Sequence, residues 1–342
     1  MCKYVQQSSR QIFRPVLTIV NGTREPRQDL QGKRYFRAMK KILVTGSNGL
    51  LGQKLTDLYL KQPNRTLIAT GKGPDRYPNP GGYIYESLDI CDADQVQQIV
   101  QKHRPDVVIH TAAMTNVDAC ELDHKACDAL NVHAVASLTR AAEAVGARFI
   151  HLSTDFIFNG KEGPYDEEAA ADPLSYYGHS KWKGEQIVQQ ECSRWAILRT
   201  VLVYGIVHDM SRSNIVLWAK QALEQGKPMQ VVDDQWRTPT WAEDLAMGCY
   251  LAEVHDAQGI YNISGSDFMS IYDLVSRVAD YYGLSMEHVS RVGSNTLNQP
   301  AVRPPRTGFI LDKARRELGY EPHRFEEGIA GMEAMMKAMQ RP

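Results

Sequence analysis

The segment Ile42-Leu43-Val44-Thr45-Gly46-Ser47-Asn48-Gly49-Leu50-Leu51-Gly52 constrains this chain more than any other. It reads as an apolar strand, a tight glycine turn and the first turn of a helix, in that order. Gly46 permits the turn, Gly49 lets the backbone approach a pyrophosphate, and Gly52 lets helix and strand pack closely. The helix N-terminus then offers unpaired N–H groups and a partial positive charge to phosphates. Three glycines alone would fit any strand-to-helix turn; their place behind a first strand makes Gly46, Asn48, Gly49, Leu50, Leu51 and Gly52 candidate dinucleotide contacts.

From residue 40 onward, short β-branched runs (41–44, 66–70, 83–88, 107–111, 148–153, 196–199) alternate with helical stretches (50–60, 93–103, 126–145, 177–190). That alternation predicts an α/β fold, a doubly wound, Rossmann-like parallel sheet whose crevice opens at the carboxyl ends of the strands. Beyond residue 200 the pattern loosens into loops and helices (213–224, 272–282, 312–318), with prolines at 228, 239, 300, 304 and 305. We read residues 39–200, completed by part of 240–265, as a dinucleotide-binding domain, and 201–335 as a smaller, interleaved substrate-binding lobe. No internal repeat is visible.

Residues 1–38 hold eight Lys/Arg against two acids, a net of +6 in a chain of −1, so the remainder carries −7. The opening stretch reads as an extension outside the fold, with Met39 two residues before the first strand run; its Arg-rich, acid-poor composition is also that of an organelle-targeting segment. An acidic body gives no reason to bind nucleic acid. No apolar run approaches the roughly 20 residues of a membrane helix. The six cysteines form no CxxC or CxxH pattern, which predicts reduced thiols in a cytoplasmic protein and no zinc site. No other ligand cluster calls for a metal.

The chemistry-bearing residues fall at strand ends. About 20 residues past Gly52, where a carboxylate would grip the ribose of NADH, stands Lys72, which can pair with a 2′-phosphate and so favours NADPH. Asp89-Ile90 ends the third strand, where a carboxylate can accept from an adenine amino group; Asp89 or Asp92 could equally cap the next helix. Tyr177 and Lys181 lie four residues apart on one helical face. A phenol must fall about three units from a pKa near 10 to exchange protons at neutral pH, roughly 4 kcal/mol. An ammonium about 4 Å away at an effective dielectric near 20 supplies that much. Thr154 ends another strand 23 residues before Tyr177, which puts a hydroxyl donor at the same mouth of the sheet.

TGSNGLLG, STDFIFNG and YYGHSKWKGE, with His110 to Ala113, Thr115 to Asp118, Leu198 to Thr200, Asp234-Gln235, Thr238 to Thr240, Glu243 to Leu245 and Arg303-Pro304, resemble the extended short-chain dehydrogenase/reductases. The likeness is to the dTDP-4-dehydrorhamnose reductase group and covers about 40–330. It implies an NADPH- or NADH-dependent reductase of a nucleotide-linked 4-keto-6-deoxy sugar, such as dTDP-4-dehydrorhamnose to dTDP-L-rhamnose, with Thr154, Tyr177 and Lys181 catalytic. Ala112, Ala113 and Thr115 would line cofactor and substrate, and Asn131 would support the cluster or only bridge backbone. Asn116, Asp155, Arg199, Gln235, Trp236 and Arg303 would face the nucleotide sugar, although Trp236 could simply pack and Arg303 could be a loop ion-pair partner. The resemblance also implies a homodimer.

Two departures, Leu202 where a tryptophan is common and Arg237 where a glycine is usual, bear on which sugar is used. Epimerases and dehydratases share the fold. The non-catalytic, NADP-binding regulatory β subunit of methionine adenosyltransferase resembles the same group, and Arg237 to Thr240 suits that branch.

Overall fold

The computed structural model describes residues 39–78, 80–209 and 213–339; the expected extension at 1–38 lies outside them. Strands β1 (Lys40–Thr45), β2 (Arg65–Gly71), β3 (Ile84–Ser87), β4 (Val107–His110), β5 (Arg148–Thr154) and β6 (Trp195–Thr200) follow the apolar runs. They form one parallel sheet in the order β3-β2-β1-β4-β5-β6, and a seventh strand, Gly259–Asn262, extends it beside β6. The strand order reverses between β1 and β4, which opens a crevice at their carboxyl ends. Gly46 follows one of these strands and Thr111 the other, so both motifs enter the crevice.

Alternation along β1 shows why the sheet is covered on both faces. Ile42 and Val44 join the core beneath α1 (Leu50–Tyr59) and α8 (Ala242–Val254). Leu43 joins the opposite core, under α2 (Ala93–His103), α5 (Ala134–Ala144) and α6 (Tyr176–Glu191). All three side chains are fully buried, as a central parallel strand requires. Between α2 and α5, α3 (Val117–Leu122) and α4 (His124–Asp128) lead into a π-helical turn, Ala129–His133. The single helix expected over 126–145 is therefore interrupted.

A third core gathers Tyr204 of the short strand Val203–Tyr204 with Val216 of α7 (Ile215–Glu224), Leu274 of α9 (Ile271–Tyr282), and Phe325 and Ile329 of α11 (Phe325–Met339). The paired strands Met229–Val232 and Val289–Val292 lie beside it. α8 and the seventh strand return to the main sheet, while α10 (Asp312–Leu318) closes its edge. Among the described residues no helix is long and apolar enough to cross a membrane.

Candidate active site

A cavity of about 1110 Å³ runs along the carboxyl ends of the strands. Its first end is the glycine turn. Gly46 has φ +70°, and a Cβ there would meet the Ala112 nitrogen at 2.9 Å. At Gly52 a Cβ would lie 2.3 Å from the Gly46 oxygen, so helix α1 can sit this close only because residue 52 has no side chain. Gly49 caps α1 with no side chain to satisfy the first N–H groups, which leaves a helix N-terminus suited to a phosphate. A pyrophosphate fits this cradle on those grounds.

Every residue expected to hold the dinucleotide, from Gly46 through Lys72, Asp89 and Ile90 to Ala112, Ala113 and Thr115, lines this one cavity. Their side chains do not all act as expected. Asn48 pins the loop after β2, donating to the Pro74 carbonyl at 3.0 Å and accepting from the Arg76 N–H at 2.9 Å. Lys72 is paired with Asp89 at 2.6 Å, which lowers the Asp89 pKa and raises that of Lys72. Asp92, not Asp89, caps α2. The loop also brings exposed Arg76 onto the cavity wall. Sequence reasoning stopped at Lys72 and passed over it, although the Lys-Gly-Pro-Asp-Arg run offered a second cation close by.

The middle of the cavity holds Thr154, Tyr177 and Lys181. Ser175 caps α6 by accepting from the Gly178 N–H at 3.2 Å, and the helix turns Tyr177 and Lys181 inward. The Thr154 hydroxyl, at the end of β5, donates to Asp155 Oδ1 at 3.1 Å and accepts from the Phe156 N–H. Lys181 Nζ donates to the Leu152 carbonyl at 2.7 Å. The electrostatics reverse one expectation. Burial pushes the Tyr177 phenol up, with the Thr154 hydrogen bond pulling the other way. Burial also brings Lys181 down to about 8, opposed by Glu185. The phenol is thus a protonated donor at neutral pH. Its lowering by Lys181, worked out from charge alone, omitted the burial of both groups.

Asn131 lies in the π-helical turn, where it accepts from the Met114 N–H at 2.9 Å and donates to the Met114 carbonyl and to Ser180 Oγ. It therefore holds the segment after β4 against α6. A local π turn of this kind re-aims one side chain without breaking the helix.

At the far end, Asp155, Gln235 and Arg303 line the cavity, as does Arg237. Arg237 is buried, donates to the Pro304 carbonyl at 2.9 Å and stands 3.6 Å from Asp155. Burial raises the Asp155 carboxyl pKa, with Arg237 countering it. Arg303 reaches Asp118 at 2.7 Å, so it is both an ion-pair partner and a cavity residue. Three expected substrate contacts do not line this cavity. Arg199 is sealed in a pair with Glu185. Trp236 packs on Phe268 and Arg306 rather than opening on the cavity. Asn116 caps α3 through the Ala119 N–H. Leu202 lines the cavity. Trp218 and Asn214 of α7 and its cap also reach the wall; no motif had marked them.

Comparison with known proteins follows the same outline. A family model described as RmlD substrate binding domain matches residues 39–338. The methionine adenosyltransferase 2 subunit beta of Danio rerio is 32% identical over 288 residues, 83% of this chain and 86% of that protein. The spore coat polysaccharide biosynthesis protein SpsK of Bacillus subtilis is 31% identical over 296 residues, 85% and 96% of the two chains. The structure of dTDP-4-dehydrorhamnose reductase from Bacillus anthracis, in complex with NADP, superposes with a TM-score of 0.74 at 27% identity, covering 86% of this chain and 99% of that one.

Proposed function

This chain belongs to the RmlD substrate-binding-domain family, and from that premise we propose that it is an NADPH- or NADH-dependent reductase of a nucleoside-diphosphate-linked 4-keto-6-deoxy sugar, of the dTDP-4-dehydrorhamnose class. One observation carries the reading: a protonated, buried phenol, an ammonium and a hydroxyl share the wall of a cavity whose other end is a phosphate cradle. The similar reductase that binds NADP supports the choice of cofactor. On this reading residues 39–200, with part of 240–265, hold the dinucleotide, and 201–335 cover the sugar.

When bound, the reduced nicotinamide supplies hydride to the carbonyl carbon. Gly46, Gly49 and the uncapped start of α1 hold its pyrophosphate, and Arg76 with Lys72 meets a 2′-phosphate, which favours NADPH. Thr154 and Tyr177 donate hydrogen bonds to the carbonyl oxygen and polarise it. Tyr177 gives its proton to that oxygen as charge builds there. Lys181 stabilises the phenolate left behind and bonds the nicotinamide ribose. Burial of the phenol keeps water from taking its place. Gln235 and Arg303 meet the nucleotide end of the substrate.

The test is net oxidation of NADPH and of NADH against a panel of nucleoside-diphosphate 4-keto sugars. Turnover without net loss of reduced nicotinamide would indicate an epimerase or dehydratase instead. A second reading has support of its own: Arg237 and Asp155 neutralise each other at the sugar end, and the methionine adenosyltransferase β subunit is a relative. A non-catalytic, NADP-binding regulatory subunit would turn over no keto sugar and would co-purify with a methionine adenosyltransferase.

A further inference from the structure

Lys181 and Glu185 stand one helical turn apart on α6, at 4% and 1% exposure. Side chains at that spacing share a helix face, with Cβ atoms about 5–6 Å apart. Arg199 on β6 grips the Glu185 carboxylate from the other side, donating through Nε at 3.0 Å and Nη2 at 2.8 Å, and its Nη1 donates to the Glu167 carbonyl at 3.2 Å. An ion pair this enclosed is costly to desolvate, and a well-packed apolar pair of equal volume would often hold a fold as well. Stability alone is therefore a weak reason for charge at these positions.

What sets Glu185 apart is its neighbour. Cys120 of α3 and Cys127 of α4 are buried thiols, and burial pushes Cys120 up. His110 on β4 and His151 on β5 face the lysine and are held neutral by burial. Tyr177, one turn earlier, is a protonated phenol, and the carboxylate of Asp155 faces Arg237. Glu185, one turn further along the same helix face, opposes the downward pull of burial on Lys181, ahead of Cys127 and Cys120.

We propose that Glu185, fixed by Arg199, is a positioning residue that supplies the counter-charge to the Lys181 ammonium, so that this pair sets the upper pH limit of catalysis. The proposal rests on the reductase reading for its effect on turnover, while the counter-charge itself can be measured without any substrate.

The experiment uses the full chain labelled with [13Cε]lysine, with the Lys181 signal assigned by its loss in Lys181→Met and followed by NMR as a function of pH. The variants are Glu185→Gln, Arg199→Gln and the double substitution. A counter-charge predicts an ordered series of Lys181 midpoints: lowest in Glu185→Gln, where only the cation remains, then the double variant, then wild type, then Arg199→Gln. Removing the Glu185 charge is expected to lower the midpoint by about two pH units, the size of a unit charge about 6 Å away at an effective dielectric near 20, and removing the Arg199 charge, on the far side of that carboxylate, to raise it by about half as much. The alkaline limb of kcat should follow the same order while the substrate KM stays put. A purely structural pair would lower the melting temperature and leave the Lys181 midpoint unchanged, which would overturn the proposal. If either single variant fails to fold, the double variant, which leaves no unpaired charge, decides the matter by a midpoint below wild type or equal to it. Ordered midpoints in a chain that reduces no keto sugar would keep the counter-charge and discard the reductase; an active reductase with unmoved midpoints would do the reverse.

Discussion

Replacing Tyr177 by Phe removes the proposed proton donor and little else. The ring is buried and packs edge-on against Phe156 at 5.7 Å, a contact that phenylalanine retains. The hydroxyl's neighbour is Thr154, which keeps its bonds to Asp155 and to the Phe156 N–H. Loss of one such hydrogen bond changes stability by about 1 kcal/mol or less. A positioned general acid contributes roughly 10²–10⁴ in rate, or about 3–5 kcal/mol of barrier. We therefore expect kcat on the active keto sugar to fall at least about 100-fold. The dissociation constant for NADPH should stay within about threefold, because the pyrophosphate cradle lies at the other end of the cavity. Rates come from the loss of reduced-nicotinamide absorbance, affinity from nicotinamide fluorescence, and folding from thermal melting. A Phe variant that melts like wild type, binds NADPH and turns over within about tenfold of wild type would refute the assignment of Tyr177 as proton donor.

Gly52→Ala drives a methyl group against the Gly46 carbonyl and the Ser47 Cα, at 2.3 and 2.5 Å. Since both are backbone, the turn must open, and we expect about 1–3 kcal/mol lost in thermal or urea unfolding together with NADPH affinity. Unchanged NADPH binding by calorimetry would show that the turn is not the cradle. Arg76→Ala should weaken NADPH by roughly 10- to 100-fold, the worth of a charge-assisted bond to phosphate, and leave NADH unaffected. Lys72→Ala should do less, because Lys72 already serves Asp89; equal losses of both nucleotides in Arg76→Ala would contradict that role. The reductive rate should fall as pH rises through about 8, where Lys181 loses its proton. Stability runs the other way for this group. Its folded-state pKa lies below the ordinary 10.5, so between about 8 and 10.5 the unfolded chain binds more protons, and this group's contribution to stability rises with pH in that window. A Lys181→Met variant should lack that rise in urea titrations.

Six strands of the sheet and the helices between them were legible because each is a local signal: an apolar run, then a helical stripe. The seventh strand, Gly259–Asn262, was not, since Gly-Ile-Tyr-Asn is short and mixed, and only the neighbouring β6 makes it a strand. The π turn at Ala129–His133 leaves no trace in the spacing of apolar residues, so 126–145 reads as one helix. Arg199, Trp236 and Asn116 show a different limit. A motif places each at the end of an element, yet which way the side chain turns depends on a partner distant in sequence or on a local cap: Glu185, Phe268 and the Ala119 N–H.

The electrostatics of Tyr177 and Lys181 were misjudged for the same reason, because attraction between two charges can be counted from spacing while burial cannot. The correction suits reduction better than the expectation did. A donor for a developing alkoxide must hold its proton until charge appears on the substrate, and a phenol already lowered to neutrality would be partly ionised before hydride arrived. Burial holds the Tyr177 proton in place, while a lysine brought down to about 8 remains mostly an ammonium at pH 7 and is poised to lose that state just above it. The site thus favours reduction on the acid side of that value, and reverse oxidation of the alcohol, which needs the phenolate, should strengthen on the alkaline side. Measuring both directions across pH would expose that crossing, and parallel profiles for the two directions would exclude it.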